Sequence, residues 1–574
     1  MGRGVAAAGA SVLSLMAWGC NVTQPAPFDP REIQRIERQN ATDVRTGPMA
    51  PLPTTMESYR AGQARTGHTE PTEVVRLPIR EIMQRAAANS AEVRVAGYDP
   101  AVAATRVVEN EAHYDPVFFT NLRFDKQFDR TPGTVIPDPT NPTRTITINI
   151  ENNNIYTAES GVKQNLPTGG QVQISYQTQQ SDYFPARYIR NNYWSNELKL
   201  QLTQPLLREF GYGVNWARIT IGRNDQRISM LDFRKALEDN TNELEKDYWT
   251  LYQAQKDVEI QRQLLEQTRD LANLLWQQYI IGGKATHVEA SQGLAAVYQR
   301  EATLARSVAH VQDISDDIKR RMNDPEFPIA GAEILAADDP VTEPVDFDLK
   351  DQLETAMLNR LELGQQQLRV SSAETAQQVA VNGLYPKLDV VTSVSLQGLS
   401  GNFADALADQ FGSAHLIYSI GLQLEIPLGN REARAILRRA QLQRMQAAES
   451  YRNLVATIEA DVTKAVREVN TTREELFSSR ESRIREVDVL TGLNQRQASG
   501  VVPLDPTFVQ LKLDQQQRLA DSLRQETTAV ANYNIAIASL EKAKGTILRY
   551  NNILMEEEQY PWNLPSTSPR MPRQ

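Results

Sequence analysis

Several segments of the chain alternate apolar with polar residues and are predicted to be β-strands. In residues 171–178, Val172, Ile174 and Tyr176 alternate with polar neighbours without a break. A period of two over eight residues predicts a sheet with one apolar and one polar face. That apolar face suits either the core of a soluble sheet or the lipid-facing side of a membrane barrel, and alternation alone leaves both open. The predicted strands are residues 116–128, 156–164, 171–178, 197–204, 388–397 and 419–426.

Two long stretches without proline are predicted to be helices of unusual length. Residues 214–281 and 431–499 each contain a single interior glycine. At 1.5 Å per residue each stretch makes a helix about 100 Å long, which is too long to fold back inside a compact domain. Leu244 and Leu251 belong to a row that recurs every seven residues, whereas the companion row that includes Tyr248 is mostly polar. The pattern predicts a supercoiled helix with one narrow apolar seam, as in a wall of helices that has one face exposed to water.

The two halves of the chain follow one plan, which indicates an internal repeat. Each half has alternating segments, then a long helix, a turn at Gly282-Gly283 or at Gly500, and a return helix over residues 286–322 or 505–554. We assign residues 76–343 to the first repeat, 344–558 to the second, and 559–574 to a C-terminal tail. Shorter helices are predicted over residues 79–114 and 349–384, and they would stack end to end with the return helices.

The N-terminus is typical of a secreted lipoprotein. Arg3 precedes a short apolar stretch that ends at Gly19-Cys20, so residues 1–20 are predicted to be a lipoprotein-type signal peptide with lipidation at Cys20. Cys20 is the only cysteine, which excludes an internal disulfide. Residues 21–75 are rich in proline and are predicted to be a linker.

Composition narrows the function. A net charge of −10 argues against nucleic acid as a partner, and the mean hydropathy of −0.47 argues against a helical membrane span. The five histidines have no metal-ligand spacing, and the Gly-Tyr-Gly at residues 211–213 is better explained as a turn than as a phosphate loop. We therefore expect no metal, no cofactor and no enzymatic activity.

The ordered set of segments resembles the TolC family of outer-membrane efflux proteins. The resemblance is carried by LQLTQPLLREFGYGVNWARITIGRN from Leu200, the matching LQLEIPLGNREA from Leu422, the helical AMLNRLEL from Ala356 and the two glycine turns. It implies a membrane α+β fold, in which a trimeric outer-membrane β-barrel is continuous with a long periplasmic α-helical barrel. Each protomer would contribute four, possibly six, strands, because residues 156–178 read as an extra hairpin whose place in the barrel stays open.

The resemblance also implies a function and partners. The chain would be the outer-membrane channel of a tripartite efflux or type I secretion system, conducting substrate passively from periplasm to exterior. Its partners would be two further copies of itself, a periplasmic adaptor of the membrane fusion protein class, an inner-membrane transporter of the RND or ABC type, and outer-membrane lipid. It would lie in the cell outer membrane, span into the periplasm and be anchored by lipid at Cys20.

Site residues follow from the resemblance by position. The adaptor contacts would be Gly282, Gly283, Lys284, Ser499, Gly500 and Val501, and the periplasmic entrance would be constricted by Asp505 and Glu289. His287 beside this place suggests a pH sensor, but an ordinary tip residue is the stronger interpretation. For Asp505 the alternative is a helix cap.

A second function stays open at this level. The chain could be a structural coiled-coil tether of the cell envelope with a soluble β cap. The two hypotheses differ in the apolar strand face: Phe118, Phe124, Tyr176 and Leu200 are exposed to lipid in the channel and buried in the cap.

Overall fold

The computed structural model describes residues 74–129, 134–138, 141–148, 151–184, 192–282, 286–329, 331–412, 415–498 and 506–553. The predicted signal peptide, Cys20, most of the linker and the C-terminal tail lie outside the described residues. The strands are β1 (Val74–Leu77), β2 (Val117–Asp129), β3 (Thr134–Asp138), β4 (Asn141–Ile148), β5 (Glu151–Asn165), β6 (Gln171–Phe184), β7 (Asn192–Pro205), β8 (Glu333–Ala336), β9 (Lys387–Ser400) and β10 (Leu416–Glu425). The main helices are α1 (Ile79–Asn89), α2 (Ala91–Glu111), α3 (Ala217–Gly282), α4 (His287–Met322), α5 (Leu349–Asn359), α6 (Leu361–Asn382), α7 (Phe403–Gly412), α8 (Arg431–Ala498) and α9 (Pro506–Lys544).

Two helices dominate the molecule, and they lie where the proline-free stretches predict them. α3 has 66 residues and α8 has 68, so each is about 100 Å long. Away from the strands, α3 packs on α4 and on α9, and α9 packs on α8, which gives the open row α4–α3–α9–α8. Towards the strands the row is α2–α3–α6–α8. The helical part is therefore four helices wide at both levels, and α3 and α8 run through both.

The shorter helices break at equivalent places in the two halves. The helix predicted over residues 79–114 is divided at Ser90, and the one over 349–384 is divided at Arg360. Both linking residues have extended backbone, with ψ of 127° and 119°. Arg360 also donates a hydrogen bond to the carbonyl oxygen of Ala543. The shared break shows that the internal repeat extends to backbone conformation.

The main core lies halfway along the long helices. Here the short parallel pair β1–β8 packs with α1, α3 and α4, and Leu244, Leu251 and Ile318 are fully buried. Tyr248 is also fully buried, and its hydroxyl group accepts the backbone N–H of Asp338 at 3.0 Å. The prediction of a single narrow seam is wrong here, because the β1–β8 pair covers a second side of α3.

Six of the strands form one antiparallel sheet in the order β10-β9-β7-β6-β5-β2. The six strands lie in the sheet in the same order as in the chain, although β3 and β4 intervene between β2 and β5, and the helices α3 to α6 intervene between β7 and β9. The hairpin left open by the sequence, β5–β6, is part of this sheet and lies between β2 and β7. β5 begins at Glu151, earlier than predicted. Its first residues are not recognised in the sequence because the polar run from Asn152 to Asn154 conceals the alternation.

Two elements of the outer loops were missed by the sequence analysis. β3 and β4 pair with each other and form a separate hairpin in the segment between β2 and β5. α7 lies between the two strands predicted in the second half, where no helix is predicted, and it packs on β9 and β7. Gly398 permits this contact, since a Cβ there would overlap the backbone of Ala406 and Gln410. The side-chain amide of Gln410 then donates to the carbonyl oxygen of Leu396 at 2.9 Å.

A buried carboxylate in α3 makes stability depend on pH. Glu245 accepts a hydrogen bond from Asn551 at 3.0 Å, and burial raises its pKa to about 7. Between about pH 4.3, the ordinary glutamate value, and pH 7 the folded chain binds more protons than the unfolded chain. The free energy of unfolding therefore falls as pH rises through this window.

We expect Glu245→Gln to remove the part of this dependence that comes from Glu245, because the amide oxygen still accepts from Asn551 and carries no charge. The variant should match the wild type near pH 4.5 and be more stable at pH 8 by of order 1–3 kcal/mol, measured by thermal unfolding at both values. Glu259→Gln is the matched control, since Glu259 is exposed on the same helix. An unchanged pH profile in Glu245→Gln would contradict the assignment.

Candidate functional site: the helical tip and the strand faces

The ends of the two helical hairpins lie together at the end of the molecule away from the sheet. Leu271 and Leu275 of α3 pack against Val509 and Leu513 near the start of α9. Gly282 is the last residue of α3. The other predicted adaptor contacts and Asp505 lie outside the described residues: Gly283, Lys284, Ser499, Gly500 and Val501. Their role stays a prediction.

Glu289 is engaged in capping α4. The backbone N–H of Thr286 donates to its carboxylate at 2.7 Å, and the Thr286 hydroxyl accepts the N–H of Glu289 at 3.4 Å. This reciprocal pair is a capping box, and it satisfies two of the free donors at the helix start. Glu289 is only 2% exposed. Its carboxylate is thus accounted for by helix capping, and its part in an entrance constriction remains untested.

The tip of the first hairpin exposes apolar side chains that the sequence analysis did not single out. Ile280 and Val288, on either side of the glycine pair, are 64% and 60% exposed. The ring of His287 packs edge-on against Tyr279 with centroids 5.7 Å apart. The signal that could have found this surface is the run of apolar residues around Gly282-Gly283.

A buried arginine joins three helices near the tip. Arg300 of α4 donates to the Thr268 hydroxyl and to the carbonyl oxygen of Leu264 in α3, and also to the carbonyl oxygen of Leu513 in α9. Burial lowers the pKa of Arg300. A guanidinium group donates its hydrogen bonds in a fixed planar arrangement. These bonds therefore hold α3, α4 and α9 in a defined relative position.

The even-numbered side of β2, β5, β6 and β7 is apolar, and it is continuous with the corresponding side of β9 and β10. One row across the sheet joins Phe118, Val162, Ile174, Leu200, Val394 and Tyr418 through directly paired residues. Phe118 is 62% exposed and Leu200 is 46% exposed, Phe124 is also exposed, and Tyr176 is half-buried. A soluble cap would bury these residues, so the geometry favours the channel hypothesis.

The opposite side of the sheet is polar and crowded. The next row joins Lys163, Gln173, Gln201, Ser393 and Ser419. On this side Ser175, Ser181 and Ser395 are almost completely buried although they are polar. The polar face is therefore closely packed at these positions.

Aromatic residues occur on the half of the apolar face that is farther from the helices. The rings of Phe124 and Tyr156 lie 4.8 Å apart on neighbouring strands. Trp194 lies in the same row and packs edge-on against Phe403 of α7 at 5.7 Å. Of these residues Trp194 lies nearest the far end of its strand, which is where membrane β-barrels carry aromatic side chains.

Two kinds of site are not found in the part of the chain that the structure describes. None of its helices combines the length and the apolar character needed to cross a membrane. No three His, Cys, Asp or Glu side chains within those same residues are grouped so as to hold a metal ion.

We expect Thr286→Ala to loosen the tip, because it removes the side-chain acceptor of the capping box. Loss of an N-cap costs about 1 kcal/mol, so amide exchange in the first turn of α4 should be about fivefold faster by mass spectrometry. Thr286→Ser keeps the hydroxyl and should exchange at the wild-type rate. Equal exchange in all three proteins would show that the capping box does not order the tip.

Outer-membrane channels share this fold. The CmeC outer membrane channel of Campylobacter jejuni matches 82% of this chain and 86% of its own at 15% identity, with a TM-score of 0.55. The outer membrane protein VceC of Vibrio cholerae matches 81% and 96% at 14% identity, with a TM-score of 0.56. The Neisseria gonorrhoeae MtrE outer membrane channel in its open state matches 82% and 89% at 12% identity, with a TM-score of 0.55. No protein-family model and no curated protein sequence matches the chain. The chain therefore has the fold of outer-membrane channels, which confirms its resemblance to the TolC family at the level of the fold.

Proposed function

We propose that this chain is the outer-membrane channel of a tripartite efflux or secretion system and conducts substrate passively from periplasm to exterior. The observation that carries the proposal is the exposed apolar row from Phe118 to Tyr418, which crosses all six strands of a sheet joined to two helices about 100 Å long. Lipid is the environment that such a face requires, and the polar face would then line water. The proposal assigns the chain no catalytic step.

The apolar band crosses the sheet diagonally, as a tilted barrel requires. The row through Ile420 of β10 meets Leu202 in β7 and reaches Gln164 in β5, beside the start of β2 at Val117. The apolar residues of β2 centre on Leu122, about six residues further along. With a rise of about 3.4 Å per residue and strands about 4.8 Å apart, this offset over five strand steps corresponds to a tilt of about 40°. Membrane barrels have tilts of about 35–45°.

The sheet and both helical rows each end in one element on either side of the protomer. We call β2, α2 and α4 the first flank, and β10 and α8 the second flank, because these elements end the sheet and the helical rows. Since the sheet has six strands, β2 and β10 run in opposite directions and can pair antiparallel between copies. Such head-to-tail contacts close a ring when the rotation permits. A trimer is the ring that the resemblance implies.

Apolar seams follow both flanks. Val95, Tyr98 and Val102 recur at helical spacing on the side of α2 that faces away from α3, and all three are exposed. Leu442 and Met445 are exposed on α8. In the ring these seams would be buried against each other, which supplies the hydrophobic contact that a stable interface needs.

The remaining parts of the proposal concern the helical tip and the N-terminal segment that contains Cys20. The tip turns, together with exposed Ile280 and Val288, would bind a periplasmic adaptor, and Asp505 would narrow the entrance. An inner-membrane RND or ABC transporter would drive the cargo. Lipidation at Cys20 would add an anchor to the outer membrane.

A matched pair of substitutions tests which face meets lipid. Leu200 lies on the apolar face, and Gln201, the next residue, lies on the polar face. We expect Leu200→Arg to abolish heat-modifiable trimer in outer-membrane fractions, because an arginine facing lipid near the midplane costs about 2–4 kcal/mol in each copy. Gln201→Arg should assemble normally. Equal assembly of both variants, or release of the wild type by salt without detergent, would refute the channel.

The flank seams can be tested separately. Tyr98→Glu and Met445→Glu should each lower the fraction of trimer in detergent, measured by native mass spectrometry, because each places a charge in the seam. Gln443→Glu is the control, since Gln443 is exposed on another side of α8. Wild-type trimer in both seam variants would show that these helices do not meet.

A further inference from the structure

The β5–β6 hairpin sets the width of the pore. We propose that three copies of the six-stranded sheet close an eighteen-stranded barrel in the outer membrane, as wide as the helical tunnel below it. Bulky hydrated cargo would therefore leave the tunnel without a narrowing at the membrane. This inference rests on the proposed function, and it concerns the size class of the substrate.

The hairpin is built into the wall over its whole length. β5 pairs with β2 from Asp129↔Glu151 to Val117↔Lys163. β6 pairs with β7 over a comparable length. Side chains also bond across these junctions, with Thr178 donating to Asn196 at 2.7 Å. A hairpin that projected from a four-stranded sheet would lose the ladders to both β2 and β7.

The faces of the hairpin match those of its neighbours. Val162 and Ile174 continue the exposed apolar row between Phe118 and Leu200. A segment that projected into water would gain nothing from that alternation. The hairpin therefore has the two-sided character of a wall that separates lipid from water.

The widths of the two layers agree with six strands. Six strands about 4.8 Å apart and tilted by about 40° occupy about 38 Å of circumference, whereas four would occupy about 25 Å. Four helices packed 8–10 Å apart occupy about 32–40 Å. The six-stranded sheet thus has about the same width as the four-helix wall measured between helix axes.

The lining suits hydrated cargo of either charge. The polar face presents amide side chains, among them Gln173, Gln177 and Gln201, which alternate with small hydroxyl residues. Charged residues on this face occur with both signs, as in the ion pair of Arg123 with Asp125 at 2.7 Å. An interspersed pattern of this kind creates no large potential of one sign, so neither anions nor cations would be excluded.

Two deletions with different expected effects test the inference: one should narrow the barrel, and the other should leave it unchanged. Removal of residues 151–184 takes out β5 and β6 and still joins the outer end of β2 to that of β7, so it should give a twelve-stranded barrel. Removal of residues 134–148 takes out only the β3–β4 hairpin and should leave eighteen strands. Barrel diameter grows roughly linearly with strand number, so the first deletion should reduce the pore area to roughly 0.4 of its value.

The measurements are strand number by electron microscopy of the full-length protein in lipid nanodiscs, and the size limit for polyethylene glycol entering from the outer side of a planar bilayer. We expect eighteen strands in the wild type, and a lower polymer size limit only after removal of residues 151–184. A wild-type trimer with twelve strands and a projecting hairpin would overturn this inference and leave the channel intact. Absence of any barrel would overturn both. If the shortened variant fails to assemble, the wild-type strand number alone decides.

Discussion

The backbone hydrogen bonds of the two edge strands are the constraint on which this molecule depends. β2 and β10 end the sheet, and each unsatisfied backbone group costs several kcal/mol in hydrocarbon. One copy therefore cannot place its apolar face in lipid unless other copies cover both edges. An even number of strands makes that closure antiparallel, and the helical flanks α2, α4 and α8 lie below the same two edges. In the proposed ring the sheet and the helices would therefore share one interface.

Apolar residues in this chain serve three different surfaces. Leu244 and Ile318 fill an internal core, Leu200 and Tyr418 face outward from the sheet, and Tyr98 follows a flank. No single one of these surfaces needs a long apolar run, because alternation or helical spacing brings the residues to one side. This explains how a chain with a mean hydropathy of −0.47 can have the fold of an outer-membrane channel.

Strong periodicity made most of the fold predictable from the sequence. The proline-free runs located α3 and α8 because helix length is set by the absence of breakers, and strict alternation located β6. The start of β5 was missed because Asn152 is placed in the sheet by its partner Phe128 rather than by its own hydrophobicity. α7 was missed because its position depends on Gly398 of β9, whose lack of a side chain leaves room for the helix. At the tip, the sequence named Glu289 but not the buried Arg300, whose bonds to α3 and α9 depend on packing that no local pattern encodes.

The continuity of α3 and α8 has a mechanical consequence. Each is a single helix that takes part in the row near the tip and in the row near the sheet, and the β1–β8 core holds α3 between these levels. A rotation of α3 at the tip would change its packing on α4 and α9 before it reached this core, where Tyr248 is hydrogen-bonded to the β8 end. A displacement at the tip would therefore meet two constraints, the hydrogen bonds of Arg300 and then the β1–β8 core, before it reached the row near the sheet.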